Sequence, residues 1–306
     1  MLPIHFAPLQ GYTEDVYRRL HHSLCGGVEC YYTPFLRIEH GGVRSKDMRD
    51  IRPEFNEGVP LVPQAIAASG QELEELLAVV RENGYDRLDI NMGCPFPLQT
   101  RHGRGAGILC NVDRVNEICD VMKQHPETTF SVKMRLGMDN SADWQNVLPL
   151  LNQVPLCHVA VHPRIGSQQY KGDVDMQTFE QFLAECTHPV IYNGDVTSVE
   201  QIQNLESAYP SLAGVMIGRG LLARPTLAME YKEGKQLTDR EVVAVIKQMH
   251  STLLAHYEKV IPGESQRLNK IRTFWDYLEP TIGRKQWKKI VKAGNLKNYL
   301  NAVNEL

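Results

Sequence analysis

Cys94 lies in Asp89-Ile90-Asn91-Met92-Gly93-Cys94-Pro95, where an apolar segment runs into an Asn, a Gly and a thiol fixed by proline. Strand-like residues followed by Gly and Pro read as a β-strand entering a loop. A thiol there can act as nucleophile, metal ligand or proton donor. Further along, Ser131, Lys133 and Arg135 alternate with Val132, Met134 and Leu136. Period two puts Lys133 and Arg135 on one strand face. Two inward cations at a strand end suit a bound anion or an electron-rich ring; the opposite facing would leave both under surface helices. Gln64 ends Val62-Pro63-Gln64 and His162 ends Val159-Ala160-Val161-His162. Either alone reads as a hydrogen-bonded strand terminus, but four strand ends carrying Gln, Asn, Lys and His together point to a site. Asn193-Gly194-Asp195 and Gly218-Arg219-Gly220 complete the set. Glycine lets the backbone approach a phosphate, and N–H groups with an arginine neutralise its charge.

The elements that position these residues follow from hydrophobic periodicity. Eight short apolar strands are expected at 4–7, 29–35, 60–66, 86–91, 129–135, 157–162, 189–193 and 214–218. Helical patterns lie between them, as at 71–83, 111–125 and 198–206. This alternation predicts an α/β fold, a (β/α)₈ TIM barrel; a doubly wound sheet competes, but no G-x-G-x-x-G follows a strand. After Leu237 the strands stop, and 238–258 and 265–306 read as helices. The expected organisation is a barrel over 1–236 and a small helical domain over 237–306.

Composition fits a water-soluble chain of 306 residues, 42% hydrophobic and 23% charged. No signal peptide is apparent after Met1, and no stretch is long enough to span a membrane, so a cytoplasmic, non-membrane protein is expected. The seven scattered cysteines have no Cys-x-x-Cys spacing and read as reduced thiols, with no metal site. Charge is uneven. Residues 265–306 carry nine Lys or Arg against three acids, a net of +6, so the remainder carries −9 of the total −3. A basic appendage on an acidic body suits a nucleic acid, although lysines also simply solvate helices.

The chain resembles the tRNA-dihydrouridine synthases almost end to end. The matching stretches are Phe6-Ala7-Pro8-Leu9-Gln10-Gly11, Gln64, Asn91-Met92-Gly93-Cys94-Pro95, Lys133-Met134-Arg135, His162-Pro163-Arg164, Gln169-Tyr170-Lys171-Gly172, Asn193-Gly194-Asp195 and Gly218-Arg219-Gly220. The segment from Arg267 to Leu278 is similar to the tRNA-contacting helix of the bacterial C-type branch. Two departures stand out. Phe96-Pro97 replaces a small residue and a lysine, and His162-Pro163-Arg164-Ile165 replaces His-Gly/Ala-Arg-Thr/Lys.

The resemblance implies an FMN barrel that reduces the C5–C6 bond of a tRNA uridine to dihydrouridine, with NADPH (or NADH) as reductant. It implies Cys94 as the acid that protonates C5. Pro8, Leu9 and Gln10 would floor the flavin site, Gln64 would hydrogen-bond the ring, and Lys133 would stabilise negative charge on it. His162, Asn193, Gly194, Asp195, Gly218 and Arg219 would hold the ribityl phosphate. Asn91, Arg135 and Tyr170 would face the substrate base, and Arg267, Lys270 and Arg272 the tRNA backbone. The implied partner is tRNA, modified by a monomer; the C-type likeness leans toward position 16. A flavin barrel acting on a small molecule, or a non-catalytic RNA-binding barrel, remain the alternatives.

Overall fold

The computed structural model describes residues 1–306. Nine parallel strands form one sheet: β1 (Ile4–Phe6), β2 (Cys30–Tyr32), β3 (Leu61–Val62), β4 (Gln64–Ala65), β5 (Arg87–Met92), β6 (Thr129–Gly137), β7 (Leu156–Ile165), β8 (Val190–Asn193) and β9 (Gly214–Ile217). Their order is β3-β2-β1-β9-β8-β7-β6-β5-β4. The two ends of that order, β3 and β4, are the halves of one segment interrupted at Pro63. The sheet therefore curls until its ends meet, as in a TIM barrel. Pro63 has no N–H for the ladder, but its carbonyl still accepts from Asp89 N at 2.9 Å.

All eight expected strands are present, the third split by its proline. The helices between them start where the sequence offers caps. The side chains of Ser69, Asn111 and Ser198 accept from the N–H groups of Glu72, Arg114 and Gln201, which satisfies donors the helix cannot pair internally.

Alternation along β6 sorts its side chains. Val132, Met134 and Leu136 are fully buried in the core beneath the helices, so Lys133 and Arg135 turn to the barrel axis. Register places residues of adjacent strands at matching heights. Gln64 pairs with Asp89 and Asp89 with Ser131; Asn91 pairs with Lys133; Arg135 pairs with His162. Polar side chains thus stack in layers inside the upper barrel. Below them Ala7, Cys30, Tyr32, Val62, Ala160, Ile191 and Met216 form a small interior cluster.

After β9 the chain is helical. The helix Asp239–Val260 opens with a capping box between Thr238 and Glu241. The stretch beyond it is not one run of helix. It divides into Glu264–Arg272, Glu279–Ile282, Arg284–Val291 and Leu296–Asn304, broken at Gly283 with φ +80° and recapped by Asn295. These helices share one continuous apolar core with the barrel: Val242, Ile246, Met249 and Leu253 belong to the same cluster as Val16, Tyr17 and Cys25. Polar ties add to it. Lys270 Nζ meets Glu14 at 2.6 Å, Tyr12 Oη donates to Asp276 at 3.0 Å, and Thr281 Oγ1 donates to the Ala223 carbonyl at 2.5 Å. No helix is long and apolar enough to cross a membrane.

Candidate active site

A cavity of ≈ 1060 Å³ opens at the C-terminal ends of the strands, the end of such barrels where catalytic groups gather. It is lined by Pro8, Leu9 and Gln10 after β1, Asn91 and Cys94 after β5, Lys133 and Arg135 on β6, and His162 on β7. Tyr170, Asn193, Gly194, Asp195, Gly218 and Arg219 complete the expected set in the same wall. Gln64 lies outside it, and so do Arg267, Lys270 and Arg272.

Cys94 is held by its own loop. Asn91 Oδ1 accepts from Gly93 N at 3.0 Å and Cys94 N at 2.8 Å, and the Cys94 carbonyl accepts from Ala106 N at 2.9 Å. Gly105, at φ +58°, lets this crossing happen: a Cβ there would stand 2.5 Å from the Cys94 carbonyl oxygen. Cys94 as a whole is 8% exposed. Burial pushes its pKa up, and the Phe96 N–H, Lys133, Arg135 and Arg37 only partly offset that. Cys94 is therefore a protonated thiol at neutral pH, able to give a proton.

Asn91 and Gln64 serve this loop from below. Asn91 Nδ2 donates to Gln64 Oε1 at 2.8 Å, Gln64 Nε2 donates to Asp89 at 2.7 Å, and Ser131 Oγ donates to Asp89 at 2.5 Å. Burial raises the Asp89 carboxyl to about 6. Gln64 is fully buried within this chain of bonds. It acts on the cavity through Asn91.

The two cations of β6 have different situations. Lys133 has no acidic side chain within salt-bridge distance. Burial, and then the charge of Arg135, lower its pKa from an ordinary 10.5 to about 8. Arg135 is tied down: Nε donates to the Gly93 carbonyl at 3.0 Å, Nη1 to Ile165 at 2.9 Å and Nη2 to Gln169 at 2.7 Å. It clamps the Cys94 loop to the loop carrying Tyr170, and its guanidinium lies 5.6 Å from the Tyr170 ring.

Asp195 sits between Arg219 and Arg164, bonded to both. Burial alone would raise its carboxyl, but Arg164 and then Arg219 hold it below the usual range. Arg164 also donates to the Gly172 carbonyl at 2.5 Å and to His162 Nε2 at 3.2 Å. Because arginine only donates, His162 must accept at Nε2, which leaves its proton on Nδ1. Burial and the charges of Arg135, Lys133, Arg164 and Arg219 drive the His162 pKa far down, so it is neutral. Gly220 is the close-packing point of this corner, where a Cβ would fall 2.0 Å from the Val196 carbonyl oxygen. Four cations against one carboxylate make this wall a strong anion attractor.

The structure adds groups that strand-end reasoning did not single out as site residues. Arg164 is the central donor of the anion wall. Its signal was present in His162-Pro163-Arg164, two residues beyond an inward-facing His. Tyr277 and Pro280 reach the cavity from the C-terminal helices, which no local pattern announces.

Two of the three cations expected to meet RNA have partners in the protein. Lys270 pairs with Glu14, and Arg272 donates to the Ala293 carbonyl. Arg267 is half-buried. Lys285, Lys288 and Lys292, on and just after the helix Arg284–Val291, are exposed and have no acid within ion-pair distance.

No cluster of three His, Cys, Asp or Glu side chains could hold a metal ion. The family described as "Dihydrouridine synthase (Dus)" matches residues 5–305. Among curated relatives, a "tRNA-dihydrouridine(16) synthase" of Neisseria meningitidis is 27% identical, covering 79% of this chain and 75% of that one. A "Probable tRNA-dihydrouridine synthase" of Helicobacter pylori is 28% identical, over 83% and 76% of the two chains. Among solved structures, morphinone reductase superposes with a TM-score of 0.56 at 12% identity, covering 77% of this chain and 87% of that one. The old yellow enzyme of Trypanosoma cruzi gives 0.52 at 10% identity, over 77% and 89%.

Proposed function

Because the chain belongs to the dihydrouridine synthase family, we propose that it reduces the C5–C6 double bond of a uridine in tRNA, with FMN as cofactor and NADPH (or NADH) as reductant. One observation carries the reading. A protonated thiol, a half-buried ammonium with no salt-bridge partner and an arginine-rich corner face a single cavity of ≈ 1060 Å³, a volume at the upper end for a cofactor site.

The residues present fit FMN. Lys133 is a half-buried cation with no carboxylate within salt-bridge distance, a costly arrangement that an anionic or electron-rich ligand would relieve. Ala7, Pro8, Leu9, Met216 and Ile217 provide an apolar floor against which a ring system can lie. Arg164 and Arg219, with the main chain at Asn193–Asp195 and Gly218–Gly220, would take the phosphate, with Asp195 orienting both guanidinium groups. His162 would offer its Nδ1 proton. The Asn193 side chain is committed to the Met216 carbonyl at 2.7 Å, so its loop contributes backbone. When bound, FMN supplies a hydride, taken from the nicotinamide, to C6 of the uracil ring.

The chain's own residues complete the reaction. Cys94 gives its proton to C5. Asn91 and Arg135 hold the Cys94 loop at the height where a base enters. Tyr170, backed by Arg219 at 4.6 Å, offers the base a stacking face. A stacked uridine must leave its neighbours to reach the cavity, at a cost of a few kcal/mol (~2–4). Backbone contacts from the basic helices offset that cost. The names of relatives support position 16 of the tRNA as the target.

The test has two readouts. The purified protein, expressed with riboflavin supplied, is expected to be yellow and to release FMN on denaturation. The tRNA of a strain lacking the gene is expected to lose dihydrouridine at one position, and the purified enzyme with NADPH restores it. A colourless protein, or tRNA with its dihydrouridine unchanged, sinks the reading. The runner-up, a flavin barrel for small molecules, is favoured by a yellow protein without measurable affinity for tRNA.

A further inference from the structure

Six large apolar side chains stand exposed on the surface, and three of them, Phe96, Leu98 and Tyr170, rim the active-site cavity. Phe96 is 54% exposed and Leu98 79%. They lie two and four residues after Cys94, Phe96 capping the short helix Pro97–Thr100 and Leu98 within it. An apolar pair left open at the mouth of a charged cavity is a contact surface in want of an occupant.

The turn is prebuilt. The Phe96 carbonyl accepts from Gln99 N at 2.8 Å and Thr100 N at 3.0 Å, and Arg104 N donates to the Gln99 carbonyl at 3.1 Å. The Arg104 side chain fixes its far end, bonding Glu72 at 2.5 and 3.0 Å and the Ile38 carbonyl at 3.0 Å. None of these bonds uses the Phe96 or Leu98 side chain. Their exposure is therefore no by-product of holding the loop. The neighbouring Arg101 is exposed and lacks an acidic partner.

We propose that Phe96, with Leu98 beside it, is a stacking ledge for the nucleobase next to the uridine that enters the cavity. The proposal rests on the tRNA reading above and deepens it. A uridine turned out of a stack leaves its neighbour without a partner. Enzymes and architectural proteins that open stacks fill such gaps with apolar side chains, and bases stack on aromatic rings whatever their sequence. Position argues for a base: the ledge is continuous with the cavity, one step from the reacting thiol. Charge argues for it too, since Arg101 is free to meet the adjoining phosphate. Size argues against a protein partner, because two side chains fall far below the roughly 800 Å² per side of a standard protein interface.

The experiment compares wild type with Phe96→Ala, Phe96→Ala/Leu98→Ala and Phe96→Trp, each verified as folded by circular dichroism and flavin absorbance. Dihydrouridine formation is followed on a tRNA transcript, with tRNA affinity measured at several salt concentrations. The expected result is a fall of about tenfold or more in kcat/KM for tRNA with Phe96→Ala. The salt slope stays unchanged, because every phosphate keeps its cation, and Phe96→Trp restores the rate. Equal kcat/KM in Phe96→Ala and wild type overturns the ledge, as does a tryptophan variant that behaves like the alanine one. A concentration-dependent dimer that disappears in Phe96→Ala also overturns it, giving the ledge to a second copy of the chain. Wild-type enzyme that leaves every tRNA uridine unreduced overturns the tRNA reading itself, and the ledge with it.

Discussion

Asn91 and Cys94 form a closed local circuit: the Asn91 carboxamide oxygen accepts from the Cys94 N–H at 2.8 Å and from the intervening Gly93 N–H at 3.0 Å. The side chain of one residue thus shapes the loop that carries the thiol. Its amide nitrogen is engaged by Gln64 at 2.8 Å, so the carboxamide cannot turn over. Replacing Asn91 by Ala leaves two buried N–H groups unpaired, each at about 1–3 kcal/mol of stability. It also frees the thiol from its position. Dihydrouridine formation is expected to fall by roughly 10²-fold, while bound flavin remains. Single-turnover reduction of tRNA, measured beside the flavin spectrum, checks this. A variant with wild-type turnover would show that the circuit is dispensable.

Cys94→Ala separates proton delivery from cofactor reduction. NADPH oxidation and flavin content should persist, and dihydrouridine formation should drop by about 10²–10⁴-fold. In the wild type, the raised thiol pKa keeps the acid protonated through neutral pH, so activity that depends on it should decline only in the alkaline range. A pH–rate profile on tRNA, with NADPH oxidation as its control, tests both statements.

Lys133 offers a stability test in the flavin-free protein. Its ammonium loses its proton near pH 8 in the folded chain, against an ordinary 10.5. Between those values the unfolded chain binds more protons, so stability rises with pH across that window. The cost of burying the charge is present in full below pH 8. Lys133→Met should therefore be more stable than wild type at pH 7, by about 1–3 kcal/mol, with the gap closing toward pH 10. Urea denaturation at pH 7 and pH 10 reads the difference directly. The same variant should retain less FMN.

Arg219→Ala removes one of the two arginines bound to Asp195. Flavin retention should weaken by roughly 1.5–3 kcal/mol, the worth of a charge-assisted hydrogen bond. Dialysis followed by fluorescence of released flavin measures it. Undiminished retention would move the phosphate to Arg164 alone.

The RNA-facing surface is best tested where the cations are free. Lys285→Ala/Lys288→Ala/Lys292→Ala should weaken tRNA binding and reduce the slope of log affinity against log salt by about one for each phosphate left without its lysine. Lys270→Glu would instead set two carboxylates against each other at Glu14, and its loss of binding would report on folding. Titrations of labelled tRNA at three salt concentrations distinguish these outcomes.

Where the sequence was legible, neighbours in the chain supplied the information. Alternation along Ser131–Leu136 put Lys133 and Arg135 together on one face, because a strand's two faces are set by its own residues, and the burial of Val132, Met134 and Leu136 beneath the helices turns that face to the axis. The Gly-Arg-Gly and Asn-Gly-Asp loops were visible for the same reason. Partnerships between distant segments were not. Arg135 looked like a free cation, yet it spends its donors on carbonyls of two other loops. The ion pair of Lys270 with Glu14, near the opposite end of the chain, had no local signal. The bond from Gln64 to Asp89 was likewise out of view, since it depends on the register of β4 on β5. The reading of 265–306 as helices did not place their breaks, which backbone conformation at Gly283 and the cap at Asn295 decide.

The core shared by the barrel and the C-terminal helices is expected to make the whole chain melt as one unit. A cut after residue 236 would strip cover from Val16, Tyr17 and Cys25 and remove Tyr277 from the cavity wall. The basic helices are thus not a portable RNA-binding tag. Transplanting them to another barrel would require carrying along the matching surface of the first helix, and deleting them would be read as insolubility before it was read as lost recognition.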